Sequence, residues 1–545
     1  MSRPPASLVV TGEIVIGIDA GGVQTAEAIG IADGRVVAVG SRDEVLEGKA
    51  PAARLVAAGP AAVIPGVHDF HLHLVGMARA RRAVRLAGVE SPAAFLAAMR
   101  RAASELVADA WLRGQGWSEA LLAATPLEWL EEAVGDRPAL LYSHDSHSAW
   151  ASATARQMAG LRAETPDPRG GLIERGPGGE PTGVLRESAT DLVESLAGRL
   201  RGPALDSALD EVLAELAGLG ITGATDAGDT TTEKGSGEFA ALGDSASTLI
   251  GARSRLDGRI RLSVNLPADA IANAAAMGLA TGEALPGAST LRVGWAKAYA
   301  DGALGSGTAA LFEPYRGGTP DQVGIVRLTA EQLDGIASAA RAAGISLAVH
   351  AIGDRAAATA LDAIERASAR RGSAPPDRIE HLQLVRPSDI PRFAALGVTA
   401  SLQPVHVTSD RPLAEAAWGD RLDRAYPWRS LQESGAQLAF GSDAPIETPN
   451  PWLGLFAAAH RRAPGDGSAD WLPHQALDPV AALAAYIRGP ALAVGRPDEG
   501  HLGVGGRADL AVLNVDLATL LAADERLATV RSDLTLVEGR EAGRA

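Results

Sequence analysis

Between residues 63 and 490, the hydrophobic positions of this chain form short apolar runs that alternate with longer, Ala-rich stretches. Eight of these runs have the length and composition of buried β-strands, and several follow a segment with helical periodicity. Alternating strands and helices predict a parallel sheet, and eight such units favour a closed (β/α)8 TIM barrel over a doubly wound open sheet. In chain order, the eight runs are VIPGVHDFHLH, ITGATDAGD, RIRLSVNL, LRVGWAKAYADG, ISLAVHAIGD, RIEHLQL, VTASLQPVHV and QLAFGSDAP.

Outside the barrel, the pattern predicts two further α/β or β units. Short β-rich segments separated by Gly and Asp fill 1–62 and 491–545, so we expect one small β-sandwich domain built from both termini. The metal-dependent barrel domain then spans 63–490. Roughly 145 residues separate its first two strands, which is too long for a loop, and we expect an inserted α/β subdomain at about 80–215 over the barrel mouth. Its clearest segments are the helical SPAAFLAAMRRAASELV and ALDSALDEVLAELAGLG and the strand-like PALLYSHDSHSAW.

Composition narrows the class of protein. The 545 residues are 46% hydrophobic, which is sufficient for a large core. A net charge of −16 argues against a nucleic-acid partner. The absence of cysteine excludes disulfides and thiolate metal sites, so any metal must be held by nitrogen and oxygen ligands. Without a signal peptide or an apolar run long enough to span a membrane, we expect a cytoplasmic protein with no membrane partner.

The first predicted strand ends in two histidines, His71 and His73. Because side chains alternate along a strand, both imidazoles face the same side, whereas His68 faces the other. Two imidazoles on one face can bind a single divalent ion such as zinc. Taken alone, the pair is equally compatible with ordinary surface or core histidines, so the other strands decide its role.

Further polar residues occur where the predicted barrel strands end, which is where barrel active sites form. These residues are Lys297, His350, His381 and Asp443. Both faces of a parallel barrel strand are covered, so a charged Lys297 would be buried at a high cost. Loss of its proton or carboxylation by carbon dioxide relieves that cost, and a carboxylated lysine is an anionic ligand able to bridge two cations. Together with the histidine pair, these residues predict a metal site.

Nine motifs span nearly the whole chain in a fixed order. They are PGVHDFHLH at 65–73, GQGW at 114–117, SHDSHSAW at 143–150, GEPTGVLRE at 179–187, KAYADGALGSGTAAL at 297–311, HAIGDRA at 350–356, RIEHLQ at 378–383, ASLQPVH at 400–406 and GSDAPIE at 441–447. In these motifs the chain resembles the amidohydrolase superfamily, and within it the amidohydrolase-3 (YtcJ-like) group that includes N-substituted formamide deformylase. The segments 145–153 and 306–309 depart from the usual pattern, so the resemblance does not define the substrate.

The resemblance implies a centre of two divalent metal ions whose ligands are His71, His73, Lys297, His350, His381 and Asp443. The histidine pair and the aspartate would bind the first ion, and the other two histidines the second. The lysine, N-carboxylated, would bridge both ions. Zinc is the expected metal for nitrogen and oxygen ligands, although manganese, iron or cobalt would also suit such a site. The motifs further place Trp117, His144, His147 and His406 near the substrate.

The function expected from this site is hydrolysis of a C–N bond, of amide or N-formyl type, in a small molecule. A metal-bridging hydroxide would attack the carbonyl carbon, with Asp443 as general base and then general acid. Close alternatives are hydrolysis of a cyclic amide, a carbamate or an ester. A deaminase of the same superfamily would use one metal and would not need Lys297, and a non-catalytic metal-binding protein is a further alternative. A homodimer is the expected assembly.

Overall fold

The structure, a computed structural model, describes residues 4–19, 22–107, 110–229, 235, 237–288, 290–368 and 375–543. Within these ranges the strands are β1 (Ala6–Asp19), β2 (Gly22–Ala32), β3 (Arg35–Gly40), β4 (Lys49–Pro65), β5 (Val67–Leu72), β6 (Val84–Arg85), β7 (Leu112–Trp117), β8 (Ala139–Ser143), β9 (Ser148–Ala151), β10 (Gly171–Arg175), β11 (Pro181–Glu187), β12 (Ile221–Asp226), β13 (Arg261–Pro267), β14 (Leu291–Tyr299), β15 (Leu347–Ala351), β16 (Arg378–His381), β17 (Thr399–Leu402), β18 (Leu438–Phe440), β19 (Leu510–Leu513), β20 (Ser532–Val537) and β21 (Arg540–Gly543). They form three sheets within the described ranges, of eight, six and seven strands.

Helices cover the outside of the barrel and the faces of the other two sheets. In the described part of the chain they are α1 (Arg42–Glu47), α2 (Leu74–Ala80), α3 (Pro92–Glu105), α4 (Glu119–Ala124), α5 (Glu128–Val134), α6 (Ala153–Met158), α7 (Asp191–Glu194), α8 (Gly202–Gly218), α9 (Asp244–Gly251), α10 (Arg253–Leu256), α11 (Ile271–Ala276), α12 (Ala330–Ala342), α13 (Asp354–Ser368), α14 (Ile390–Leu396), α15 (Val407–Trp418), α16 (Trp428–Glu433), α17 (Pro451–His460), α18 (Pro479–Ala493) and α19 (Leu517–Ala522). Among them we find no helix with the length and apolar character needed to cross a membrane.

The eight-stranded sheet is the predicted parallel barrel. Its hydrogen-bonded order is β5, β12, β13, β14, β15, β16, β17 and β18, and each strand lies in one of the eight predicted segments, with β13 extending one residue beyond its segment to Pro267. The two edge strands meet just beyond their carboxyl ends. The backbone N–H of Asp443 donates to the carbonyl of His71 at 2.6 Å, and that of His73 donates to Ala444 at 2.8 Å. The (β/α)8 prediction is therefore confirmed, and the closing contacts lie among the predicted metal ligands.

Both ends of the chain contribute to the seven-stranded sheet, in the order β21, β20, β19, β4, β1, β2 and β3. The predicted terminal β unit is thus one continuous sheet, and its long strands β1 and β4 bend at bulges. Residues 63–65 end β4 in this sheet, although the sequence pattern joined them to the first barrel strand. Gly66 lies between the two strands. A glycine is required at this position, because a Cβ there would lie 2.0 Å from Oγ1 of Thr222.

The insertion after the first barrel strand forms the six-stranded sheet, in the order β10, β11, β9, β8, β7 and β6. The segment predicted as one strand, PALLYSHDSHSAW, is a hairpin of β8 and β9, with 144–147 as its turn. One face of the hairpin is covered by α3, where the rings of Phe95 and Trp150 stack at 5.0 Å. The turn carries His144 and His147 into the wall of a cavity at the barrel mouth.

Candidate metal centre and substrate cavity

The residues predicted to bind the first metal meet at one carboxylate. Nε2 of His71 lies 3.3 Å and Nε2 of His73 lies 3.2 Å from Oδ1 of Asp443. On the other side of this carboxylate, Nε2 of His406 lies 3.4 Å from Oδ2. The described residues contain two groups of three candidate metal ligands with donor atoms within 4.8 Å of one another. One group is His71, His73 and Asp443, and the other is His381, His406 and Asp443.

Left-handed backbone at two strand ends brings additional side chains into this centre. Strand alternation gives Arg378 and Glu380 one face of β16, and His381 would therefore face away. A φ of +73° at His381 breaks the alternation, and its ring centre lies 5.0 Å from that of His71. Asp443 follows β18 with a φ of +61°. Such conformations of residues other than glycine cost about 1–3 kcal/mol each and are concentrated at functional sites.

A buried ion pair supports the first histidine. Nδ1 of His71 donates to Oε2 of Glu380 at 2.7 Å, and Oε1 of Glu380 lies 2.6 Å from Nε of Arg378. Burial lowers the pKa of His71, but the carboxylates of Glu380 and Asp443 together outweigh this effect and raise the pKa overall. With Nδ1 engaged, Nε2 is the nitrogen left to face Asp443, which is the arrangement typical of a metal-binding histidine.

Lys297 lies deep in the barrel, only 1% exposed, with Nζ 4.9 Å from the ring centre of Tyr299. Burial lowers the pKa of Lys297 to about 8, against the opposing charge of Glu380. The amine of this lysine therefore loses its proton more readily than that of a surface lysine. The neutral amine is the form that reacts with carbon dioxide to give a carbamate and a proton.

His350 and His381 lie side by side, with ring centres 4.6 Å apart. Burial, reinforced by neighbouring cations, holds the pKa of both rings well below the usual range, so both are neutral. Nδ1 of His381 is buried without a hydrogen-bond partner in the described part of the chain. Nε2 of His350, in contrast, lies 2.9 Å from the carbonyl oxygen of Gly302. Neutral imidazoles around an ionised carboxylate suit a divalent metal ion.

These groups line a cavity of about 220 Å³, hereafter the inner cavity. All six predicted ligands line it, as do three of the four predicted substrate contacts, namely His144, His147 and His406. The fourth, Trp117, is not in the cavity wall. It is fully buried in the core of the insertion, where its Nε1 donates to the carbonyl of Leu141 at 2.7 Å. Its position in the GQGW motif is explained by packing.

Sequence comparison places the chain among known enzymes. The model of the amidohydrolase family matches residues 54–542. The protein YtcJ of Bacillus subtilis (strain 168) is 30% identical over 526 residues, which cover 94% of this chain and 95% of the relative. The chain belongs to the amidohydrolase family. A more distant relative of this amidohydrolase is N-substituted formamide deformylase of Arthrobacter pascens, 27% identical over 515 residues and 91% of each chain.

Comparison of structures agrees with this assignment. An uncharacterised metal-dependent hydrolase from Pyrococcus horikoshii OT3 superposes on this amidohydrolase with a TM-score of 0.74 and 25% sequence identity. The match covers 95% of this chain and 99% of that one. The protein is therefore a metal-dependent hydrolase of the amidohydrolase superfamily, acting on carbon–nitrogen bonds.

The roof of the inner cavity contains a buried carboxylate that the sequence analysis did not single out. Glu187 accepts hydrogen bonds from Nδ1 of His147 at 2.9 Å, Oγ1 of Thr308 at 2.5 Å and Nη1 of Arg327 at 3.2 Å. It therefore joins the insertion to two points of the long loop between β14 and α12, and it orients His147 over the cavity. Glu187 is the last residue of the GEPTGVLRE motif, and this motif is the sequence feature that could have identified it. Arg327 lies outside all nine motifs. Gly302 is required here, since a Cβ would lie 2.2 Å from Oε1 of Glu187.

Proposed function

We propose that this amidohydrolase cleaves the C–N bond of an amide or N-formyl group in a small molecule, with Asp443 moving the proton. The observation that carries the proposal is the position of the Asp443 carboxylate. Its Oδ1 lies within 3.3 Å of two predicted ligands, and its Oδ2 lies 3.4 Å from His406, all at the wall of one cavity. A carboxylate in this position can bind a metal ion and can also accept a proton from the reacting water.

We further propose that the centre holds two divalent ions, with zinc as the expected metal. The first would be bound by His71, His73 and Asp443, and the second by His350 and His381. N-carboxylated Lys297 would bridge the two. When bound, such ions lower the pKa of water and polarise a carbonyl group. Burial of Lys297 and the neutral state of the two deeper histidines support this ligand set.

Asp443 has the ionisation state that a proton acceptor needs. Burial raises its pKa, but the charge of His71 and the close contacts with His406, His71 and His73 together outweigh burial and hold the pKa well below the usual range. The carboxylate can therefore take a proton from the attacking water as the new C–O bond forms. It then gives that proton to the nitrogen as the C–N bond breaks, so that one amide and one water yield a carboxylic acid and an amine.

The side chains at the cavity roof are placed to hold the substrate. His147 is oriented by Glu187, and His406 lines the cavity next to Asp443. Burial lowers the pKa of His406, but the Asp443 carboxylate 3.4 Å away and nearby acidic groups raise it to about 9 overall. We assign both rings as hydrogen-bond donors to polar atoms of the substrate, while the metal ions and Asp443 carry out the bond cleavage.

A substrate panel tests the proposed function. Metal-loaded protein is incubated with N-formyl amines, N-acyl amines, cyclic amides, carbamates, esters and amino-substituted heterocycles, and products are identified by mass spectrometry. We expect an acid and an amine from at least one N-formyl or N-acyl amine. Release of ammonia from a heterocycle alone would identify a deaminase, and turnover of esters alone would contradict cleavage of a C–N bond.

A further inference from the structure

A second cavity lies directly beside the inner cavity. It measures about 670 Å³ and is hereafter the outer cavity. Its walls are α2 with the following residues 81–87, one face of α8, and the segment 444–449. His144 and Ile446 line both cavities, so these two side chains form the partition between them.

One part of this partition, the His144 side chain, is held in place by a hydrogen bond. Nε2 of His144 lies 3.1 Å from Oε1 of Glu447, and that oxygen also accepts a hydrogen bond from Oγ of Ser409 at 2.5 Å. The His144 side chain is 39% exposed, which leaves it room to turn. Breaking one hydrogen bond and rotating this ring would join the two spaces.

The position of the leaving nitrogen indicates which part of the substrate the outer cavity can hold. In the proposed function, Asp443 returns its proton to the leaving nitrogen, so that nitrogen must lie beside the Asp443 carboxylate. The residues directly after Asp443, 444–447, form a wall of the outer cavity. A substituent on the leaving nitrogen would extend along this segment, past His144, and into the outer cavity.

Size supports the same arrangement. Ligand pockets in proteins are usually about 300–1,000 Å³. The inner cavity, at about 220 Å³, holds a formyl or small acyl group with its nitrogen, and a larger amine part needs additional space. The outer cavity, at about 670 Å³, lies within the usual range.

We propose that the outer cavity is the subsite for the N-substituent of the substrate, and that displacement of His144 opens it. This inference rests on the proposed function. The walls carry apolar surface from Met77, Ala80 and Ile446 together with polar side chains such as Arg85 and Glu447. Arg81 is already paired with Glu215, and Glu211 with Arg82. The predicted substrate class is therefore an amide of a small acid with a bulky amine part, whose hydrocarbon portion packs against the apolar part of the walls.

Filling the outer cavity tests this proposal. Ala87 lines it, and Ala87→Trp places an indole there, with Ala80→Phe as a second variant from α2. Ala97→Trp is the matched control, because Ala97 is an exposed residue of α3 and lines neither cavity. For N-(2-phenylethyl)formamide, we expect kcat/KM to fall by about tenfold or more in the two filled variants. For N-methylformamide, kcat/KM should stay the same in all three.

A direct binding measurement tests the subsite in the outer cavity separately from the proposed function. If the metal-loaded wild-type enzyme cleaves neither formamide nor any other amide, the proposed function fails. In that case the Kd of 2-phenylethylamine, measured by calorimetry, still reports on the subsite. We expect it to rise by about tenfold in Ala87→Trp and to remain unchanged in Ala97→Trp. Equal binding by both variants, or equal loss of activity on both formamides, would overturn the subsite.

Discussion

Glu380 accepts a 2.7 Å hydrogen bond from Nδ1 of His71, and this contact orients the other ring nitrogen toward Asp443. The second oxygen of Glu380 pairs with Arg378 at 2.6 Å. Arg378 in turn lies over the rings of Phe70 and Trp295, at 4.3 and 4.5 Å from their centres. The position of a predicted metal ligand is thus fixed by charged groups in the middle of the barrel.

The first prediction concerns metal affinity. Glu380→Gln removes the negative charge that supports His71, and loss of such a supporting contact typically lowers metal affinity by about 10–100-fold. Zinc content after dialysis against graded chelator concentrations measures the effect. Glu132→Gln, which alters an exposed ion pair of the insertion with Arg100, is the control and should retain metal like the wild type. Equal retention by Glu380→Gln would exclude the supporting role.

The second prediction concerns stability. Arg378 and Glu380 are both fully buried, so Arg378→Leu leaves the Glu380 carboxylate inside the barrel without its guanidinium partner. Breaking a buried pair in this way costs about 3–5 kcal/mol. Thermal unfolding of metal-free protein should show a large drop in midpoint for Arg378→Leu. The double variant Arg378→Leu/Glu380→Leu should recover much of it, and a double variant as unstable as the single one would contradict the explanation.

Much of the architecture could be predicted from the sequence because it depends on local patterns. Buried parallel strands appear as short apolar runs, and barrel active sites lie where those strands end. This reasoning predicted all eight barrel strands. It also predicted that His71, His350 and Asp443 lie close together, and all three line the inner cavity. The burial of Lys297 was predicted because both faces of a parallel barrel strand are covered.

Other parts of the site depend on contacts between distant residues and on backbone that breaks the regular pattern. Strand alternation does not reveal that Glu380 and His381, adjacent in sequence, both face the site, since this follows from the φ of +73° at His381. Nor does any local pattern show that Glu187 meets Arg327, 140 residues later in the chain. Trp117 lies in a family motif, yet the fold of the insertion buries it away from the cavity.

The third prediction concerns Lys297. If its carbamate bridges two ions, Lys297→Met should reduce the metal content from two ions per chain to one. Metal-free wild-type protein should regain activity faster with zinc when bicarbonate is present, because bicarbonate supplies the carbon dioxide that the neutral amine captures. Lys49→Met, on the terminal sheet, provides the matched control and should bind metal like the wild type. Two ions per chain in Lys297→Met would show that the lysine is not a bridging ligand.

The fourth prediction separates chemistry from metal binding at Asp443. In Asp443→Asn the amide oxygen can still face the metal, but it cannot take up or return the proton. General acid–base groups typically contribute about 10²–10⁴-fold to the rate, so we expect kcat to fall by at least this range while most of the metal is retained. Metal analysis and turnover on the same preparation measure both quantities, and Asp423→Asn, at an exposed position, controls for loss of a surface charge. If kcat and metal content fall in proportion, Asp443 acts only as a ligand, and an undiminished kcat removes it from the mechanism.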